Sequence, residues 1–134
     1  MKSISKLKKE LDKWFSLYIR LRDADDLGFV KCFTSGSYYH YKNIHAGHFM
    51  SRKYLATRFH EWNVQPQSIG DNLFKQGEQW KFGIALDLKY GEGTSRELEQ
   101  LSKSNIKLSR IDYDEQISYY KSLVENLKKE KGIE

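Results

Sequence analysis

Cysteine is almost missing from the sequence, because Cys32 is the only one. An intramolecular disulfide is therefore impossible, and a structural zinc site made of cysteines alone is excluded. No uncharged apolar run reaches the roughly 18 residues that a membrane-spanning helix needs, and the N-terminal segment carries charges where a signal peptide would be apolar. We therefore expect a cytoplasmic protein with no membrane partner.

Acidic residues are missing from one long interval of the chain. No Asp or Glu lies between Asp26 and Glu61, whereas all four histidines and a series of Lys and Arg residues do. The formal net charge of the whole chain is +5. A basic segment without acid suits a polyanion such as nucleic acid, whose binding then weakens steeply with salt. The alternative interpretation is an ordinary solvated basic face.

The two ends of the chain have helical patterns. The 134 residues are enough for one domain with a modest core. Apolar residues recur every three or four positions from residue 3 to about 24, and again from about Ser109 to Lys129. Between them, FVKCFTS and YYHYKNI flank a Ser-Gly-Ser turn and predict a β-hairpin. The apolar stripes of the terminal helices are expected to pack against each other or against a second copy of the chain.

The middle of the chain has weaker patterns. Residues 46 to 62 lack a clean periodicity and are predicted to form an extended loop. Pro66 is the only proline, and residues 63 to 70 around it are predicted to stay irregular. After them the pattern becomes helical, with Asp71 as a candidate N-cap and with Gly77 and Gly83 as weak points at which one helix could end and another begin.

Three polar residues in this middle region have the chemistry of a metal-dependent hydrolase. Hydrolysis of a phosphodiester needs a base for the water, a metal ion for the developing charge and a basic cradle. His48 could be the base, since a neutral imidazole accepts a proton near pH 7. His45 and Asn72 could bind the metal through a ring nitrogen and an amide oxygen. The alternative for any single histidine is a structural or surface role, which we favour for His40 and His60.

Three longer stretches carry a family resemblance: IRLRDADDLGFVKCFTSG, AGHFMSRKYLATRFHEWNVQPQ and ALDLKYGEGTSRELEQL. They resemble the lambda NinG (Rap) family of phage recombination proteins, which are structure-specific endonucleases of the HNH or ββα-metal class. The site layout is also similar to that of phage endonuclease VII, a Holliday-junction resolvase. The predicted fold is α+β, in one domain over residues 1–134. A small ββα-metal core with a β-hairpin at about 28–90 is flanked by an N-terminal helix at about 3–24 and C-terminal helices at about 94–130.

The resemblance implies a role for each polar residue. His48 corresponds to the general base and Asn72 to a metal ligand, while His45 stands where the family usually has a metal-binding aspartate. Asn63 corresponds to the asparagine that braces the loop holding the base. Contacts to the DNA phosphates are expected from four basic residues: Arg52, Lys53, Arg58 and Lys75.

Two departures from the family pattern change the expected metals. Family members usually hold a structural zinc with two C-x-x-C pairs, but the corresponding positions here are Cys32, Ser35, Ser68 and Asp71. We therefore predict no structural zinc, and instead hydrogen bonds among Ser35, Ser68 and Asp71. At the active site, His45 in place of a carboxylate weakens the attraction for Mg²⁺ and favours softer ions. One divalent ion, Mg²⁺ or Mn²⁺, is the expected cofactor.

The resulting functional hypothesis is a divalent-metal-dependent, structure-specific DNA endonuclease. It would hydrolyse phosphodiester bonds in branched recombination or replication intermediates such as Holliday junctions. One alternative is a catalytically decayed HNH-fold protein that binds branched DNA or recruits recombination proteins. Another is a protein-interaction module built on the terminal helices. The expected partners are branched DNA, a second copy of the chain in a homodimer, and recombination proteins.

Overall fold

Two long helices form the ends of the chain in a computed structural model that describes residues 1–134. Helix α1 spans Ile4–Arg22, and the Ser3 side chain caps it by accepting a hydrogen bond from the Lys6 amide at 3.2 Å. The last helix, α5, spans Arg110–Lys131 and begins with a capping box between Ser109 and Asp112. Both predicted terminal helices are confirmed. None of the helices combines the length and apolar content needed to cross a membrane.

The apolar stripe of α1 is buried mainly against α5. Phe15 meets Tyr120 edge to face, with 4.9 Å between the ring centroids, which is a favourable aromatic geometry. Because the two stripes cover each other within one chain, they do not offer the surface for a second copy that the sequence suggested. The buried residues of this cluster are Leu7, Leu11, Phe15, Ile19, Val64, Tyr113 and Tyr120.

A first hairpin follows α1. Strand β1, Phe29–Lys31, pairs antiparallel with β2, Tyr38–His40, and Val30 lies opposite Tyr39. This is the predicted hairpin, confirmed at its expected place. Val30 is buried in a second apolar cluster that also contains Val124 of α5, so the hairpin packs onto the C-terminal helix.

A second hairpin lies in the region that we predicted to be a loop. Strand β3, His45–His48, pairs antiparallel with β4, Val64–Gln67, and the short helix α2, Leu55–Arg58, lies between them. The predictions of an extended loop at 46 to 62 and an irregular segment at 63 to 70 are therefore wrong at these elements. All four residues of β4 are buried, so no alternation of exposed and buried positions marks the strand.

Two short helical turns lie between β4 and the next helix, α3. A π-helical turn at Gly70–Phe74 and a 3-10 turn at Gln76–Glu78 precede α3, Gln79–Tyr90, and α4 follows at Thr94–Ser102. Gly77 has a φ of 73°, a left-handed conformation that glycine adopts readily, so it interrupts the helical segment before α3 as predicted. Gly83, the other predicted break, lies inside α3, so that prediction is wrong.

Asp71 does not cap this segment, contrary to prediction. Its carboxylate instead accepts a hydrogen bond from the Thr34 hydroxyl at 2.7 Å, and the Ser68 hydroxyl accepts one from the Asp71 amide at 3.1 Å. Asp71 therefore ties the turn to the loop between β1 and β2.

Candidate functional site

A cleft of about 900 Å³ lies between α1, the second hairpin and the turn after β4. Both predicted metal ligands and the predicted base line it, namely His45, His48 and Asn72. Arg52, from the loop after β3, also lines the cleft. The fold therefore brings together residues from three separate elements at one concave surface, as functional sites commonly require.

His48 stands at the end of β3 with a fixed ring. Its Nε2 atom lies 3.0 Å from the backbone carbonyl oxygen of Arg58. A carbonyl can only accept a hydrogen bond, so in the neutral ring Nε2 carries the proton and donates it. The other nitrogen, Nδ1, then keeps its lone pair, and no protein donor occupies it. The ring is therefore held in the tautomer that leaves a proton acceptor free.

The protonation state of His48 follows from its surroundings. Burial lowers the pKa of His48 to about 4, and the positive charges of Arg52 and Arg58 act in the same direction. The hydrogen bond to the Arg58 carbonyl and the carboxylate of Asp12 oppose this shift only in part. His48 is therefore neutral at pH 7, which is the form that can accept a proton.

The same pKa predicts how stability depends on pH. His48 takes up a proton with a pKa of 6.5 in the unfolded chain but only near 4 in the folded protein, so this contribution to stability is complete above pH 6.5 and is lost as the pH falls toward 4. Urea unfolding at several pH values should show it. His48→Gln should remove this part of the slope, whereas His40→Gln, outside the cleft, should retain it. Equal slopes in wild type and His48→Gln would contradict the prediction.

His45 and Asn72 are in direct contact within the lining of the cleft. The Asn72 side-chain nitrogen lies 3.0 Å from His45 Nδ1, although the two residues are 27 positions apart in the chain. The two ends of a side-chain amide have the same shape, and rotation of the amide would present its oxygen instead. Two ligands at about 2.1 Å and at right angles around an octahedral ion lie about 3.0 Å apart. The pair therefore fits two adjacent positions around one divalent ion.

The donor set around this pair is small and neutral. No group of three or more His, Cys, Asp and Glu side chains lies close enough together to hold a metal ion. Asp12 is the one carboxylate that lines the cleft, but it is paired with Arg58. An ion bound here would have only His45 and Asn72 from the protein, and its other positions would be filled by water or by phosphate oxygens.

Asn63 is fully buried just before β4, behind the cleft rather than in its lining. Its side-chain oxygen accepts a hydrogen bond from the Met50 amide at 2.8 Å, and its side-chain nitrogen donates to the carbonyls of Met50 and Thr57 at 3.0 Å each. One side chain therefore joins the start of the loop that carries Arg52 to α2.

The Arg58 side chain is already bonded within the fold. Its guanidinium makes two hydrogen bonds to the Asp12 carboxylate, at 3.1 and 2.5 Å, and a third to the Arg52 carbonyl at 2.9 Å. The guanidinium of Arg58 thus bonds to α1, while the backbone carbonyl of the same residue holds His48. These bonds give the Arg58 side chain a structural role in the free chain, and its contact with phosphate stays a prediction.

The remaining predicted basic residues lie outside the cleft lining. Lys53 is exposed and lies 4.9 Å from the ring centroid of Tyr54. Lys75 is also exposed, and its ammonium group lies 3.6 Å from the Asp71 carboxylate. Because the lysine side chain is 60% exposed, this ion pair holds it only weakly. Arg52 is thus the predicted basic residue that reaches the cleft itself.

Several polar residues that line the cleft were not predicted as site residues. Arg20 of α1 reaches the cleft and donates a hydrogen bond to the Tyr41 carbonyl at 2.8 Å. No pattern in α1 marks this arginine, since it differs from its neighbours only in facing the second hairpin. The other missed polar side chains of the lining are Asp12, Ser16, Lys42, Ser51, Gln76 and Gln79.

A hydrogen-bond network joins the first hairpin to the turn after β4. The buried Cys32 sulfur accepts hydrogen bonds from the backbone amides of Ser68 at 3.1 Å and Ser35 at 3.4 Å. Burial raises the pKa of the Cys32 thiol, but hydrogen bonds from Ser35, Ser68 and Thr34 outweigh it and lower the pKa to about 7. Of the hydrogen bonds predicted among Ser35, Ser68 and Asp71, the one between Ser68 and Asp71 is present, whereas the Asp71 carboxylate is bonded by Thr34.

Comparison with known proteins adds a family to this geometry. Residues 1–130 match the family model described as Bacteriophage Lambda NinG protein. No curated protein and no solved structure matches the chain. The family match includes every residue of the cleft and of the loop behind it. The chain therefore belongs to the bacteriophage lambda NinG family.

Proposed function

We propose that the chain is a divalent-metal-dependent endonuclease that cleaves branched DNA. One observation carries the proposal. A neutral histidine, His48, is held by the Arg58 carbonyl with its other nitrogen free, in the same cleft as the His45–Asn72 pair. A proton acceptor and two adjacent metal ligands in one cleft are what metal-assisted hydrolysis of a phosphodiester needs.

The order of elements supports an HNH-like site. In this proposal β3, β4 and the turn at Gly70–Phe74 correspond to the ββα-metal core, although the turn is a single π-helical turn rather than a regular helix. The candidate base ends the first strand, Asn63 precedes the second, and Asn72 lies in the helical turn. This succession matches the one that the family resemblance implied from sequence.

His48 would act directly on the attacking water. Its Nδ1 takes a proton from the water as the oxygen attacks phosphorus, the bond from phosphorus to the leaving oxygen breaks, and the ring becomes an imidazolium. A divalent ion at His45 and Asn72 would neutralise negative charge on the phosphate and the leaving oxygen. Arg58 keeps the ring oriented through its carbonyl, and Asp12 keeps Arg58 in place through its carboxylate.

The charge distribution supports a nucleic-acid substrate. Arg52 and Lys53 are exposed on the loop next to the cleft, and Lys42 lies at its lining. The chain carries a formal net charge of +5. Cationic side chains around a catalytic cleft attract the phosphate backbone and make binding depend strongly on salt.

Cleavage of labelled DNA tests the proposal. Four-way junctions, flaps and linear duplex of matched sequence are incubated with the protein in Mg²⁺, Mn²⁺ or EDTA. We expect branched DNA to be cut in preference to linear duplex, faster in Mn²⁺ than in Mg²⁺ because His45 is a nitrogen ligand, and not at all in EDTA. Lack of cleavage in every metal, or equal cleavage in EDTA, would reject the proposal.

A second candidate is a decayed nuclease that binds branched DNA without cutting it. The neutral, two-residue donor set of His45 and Asn72 favours this alternative, because no carboxylate attracts the ion. Salt-sensitive binding to junctions, together with intact strands in every metal, would support it.

A further inference from the structure

One face of α3 is apolar and exposed. Trp80, Ile84 and Leu88 are 82%, 46% and 82% exposed, and their four-residue spacing places them in one row along the helix. The opposite face of α3 is the one that packs inward, through Phe82 and Leu86. Exposed apolar patches of several hundred Å² on soluble proteins commonly mark binding surfaces.

We propose that this row is the interface of a homodimer in which α3 packs antiparallel against α3 of a second copy. The row is symmetric about Ile84, with one large side chain four residues away on each side. A two-fold axis through Ile84 brings Trp80 of one protomer against Leu88 of its partner, and Leu88 against Trp80. Such an interface is self-complementary, as two-fold symmetry requires. The row also follows the four-residue ridge that packs into the grooves of a second helix.

The area of the row agrees with a dimer. From their exposures, Trp80, Ile84 and Leu88 present roughly 400 to 500 Å² per protomer, taking a tryptophan as about 250 Å². A stable interface of standard size buries about 800 Å² per partner, somewhat more than half of it apolar. The row therefore supplies the apolar centre of an interface of this size, and the polar flanks of α3 supply its rim.

The flanks of the row favour a protein over DNA as the partner. The charged residues beside the row are already paired within the chain, Lys81 with Glu78 at 3.7 Å and the Asp87 carboxylate with the Ser95 amide and hydroxyl, so the face has no excess of positive charge. A phosphate backbone selects a basic surface, whereas an apolar centre with a rim of mixed charge is typical of protein interfaces. The dimer does not depend on the nuclease proposal. Only its use, to bring two clefts to the two strands of a junction, rests on that proposed function.

Disulfide trapping tests the two-fold axis directly. Cys32 is buried and is the only cysteine, so Ile84→Cys introduces the only accessible thiol. Helix axes about 8 to 10 Å apart, with Cα atoms about 2.3 Å from each axis, place the two Cα atoms at residue 84 about 3.4 to 5.4 Å apart. This separation overlaps the range of about 4.4 to 6.8 Å that a disulfide allows.

Mild oxidation of Ile84→Cys should therefore give a covalent dimer at least about ten times faster than oxidation of Ile111→Cys. Ile111 is the matched control, because it is an apolar residue of α5 that is 68% exposed. Equal rates for the two variants would overturn the proposed axis.

Sedimentation without DNA or metal provides the second test. We expect the wild type to be dimeric at micromolar concentration, Ile84→Lys to be monomeric with an unchanged circular dichroism spectrum, and Ile111→Lys to remain dimeric. A wild type that is still monomeric at 100-fold higher concentration would overturn the proposal. If, in that case, Ile84→Lys also lost affinity for DNA, the face would be assigned to DNA binding. Neither test uses cleavage, so failure of the nuclease proposal would leave both results interpretable.

Discussion

His48→Ala is expected to lower the rate of junction cleavage by about a hundred- to ten-thousand-fold. The variant removes His48 Nδ1, the proposed proton acceptor. This nitrogen keeps its lone pair because the proton of the ring is on Nε2, which donates to the Arg58 carbonyl. General base catalysis typically contributes an acceleration of about this size. Single-turnover cleavage of a labelled four-way junction in Mn²⁺ measures the rate of the chemical step.

His60→Ala is the matched control for this experiment. Burial lowers the pKa of His60 as it does that of His48, but His60 lies outside the cleft lining. Its replacement should change the cleavage rate by no more than a few-fold. Junction binding should be retained in both variants, because neither change removes a basic contact. Cleavage by His48→Ala at the wild-type rate would exclude His48 as the base.

The pH profile gives His48 a further signature. With a pKa of about 4, His48 is already unprotonated across the neutral range. The wild-type rate should therefore not fall as the pH is lowered from 8 to 6, which would occur with a histidine of ordinary pKa.

Asn63→Ala is expected to destabilise the fold by about 3 kcal/mol or more and to lower the melting temperature by about 10 °C. The variant leaves the amide and carbonyl of Met50 without their partner in a part-buried position, and it removes one hydrogen bond from the Thr57 carbonyl, which keeps a bond from the His60 amide at 3.1 Å. Each unsatisfied buried group costs about 1 to 3 kcal/mol, partly relieved where water can enter. Urea and thermal unfolding measure the change.

Two further variants show whether the cost arises from these hydrogen bonds. Asn63→Asp keeps the oxygen that accepts from Met50 but places a second oxygen against two carbonyls, so it should be at least as unstable as Asn63→Ala near pH 7. Asn43→Ala changes an exposed asparagine and should alter stability by less than about 0.5 kcal/mol. A similarly small effect of Asn63→Ala would contradict the prediction.

Elements with a strong local signal were predictable. The terminal helices have long runs of apolar residues at helical spacing, and the first hairpin has β-forming stretches on both sides of a turn. Gly77 marked the start of α3 because its left-handed conformation is a property of the residue itself. These signals lie within a few residues of the structure that they predict.

The second hairpin gave no comparable signal. Its strands are four residues long, and β4 is buried at every position and contains Pro66, which sequence rules treat as a strand breaker. The structure accommodates the proline opposite Ala46, and its carbonyl accepts a hydrogen bond from the Phe33 amide at 2.8 Å. Strand β4 forms because it pairs with β3 and bonds to Phe33. These residues are distant in the sequence, so no local pattern predicts the strand.

By itself, the sequence determined the terminal helices, the first hairpin and the basic interval, because each depends on residue type and near neighbours. It suggested the candidate base and ligands, whose roles the family resemblance implied. Only the tertiary structure decided which side chains share the cleft and which are already engaged. Arg58 is bonded to Asp12, 46 residues earlier in the chain, and this pairing joins α1 to the segment beside His48. Likewise, the stripes of the terminal helices cover each other, while the row on α3 stays exposed. Such outcomes depend on contacts between residues far apart in sequence, and these contacts are set by how the whole chain packs.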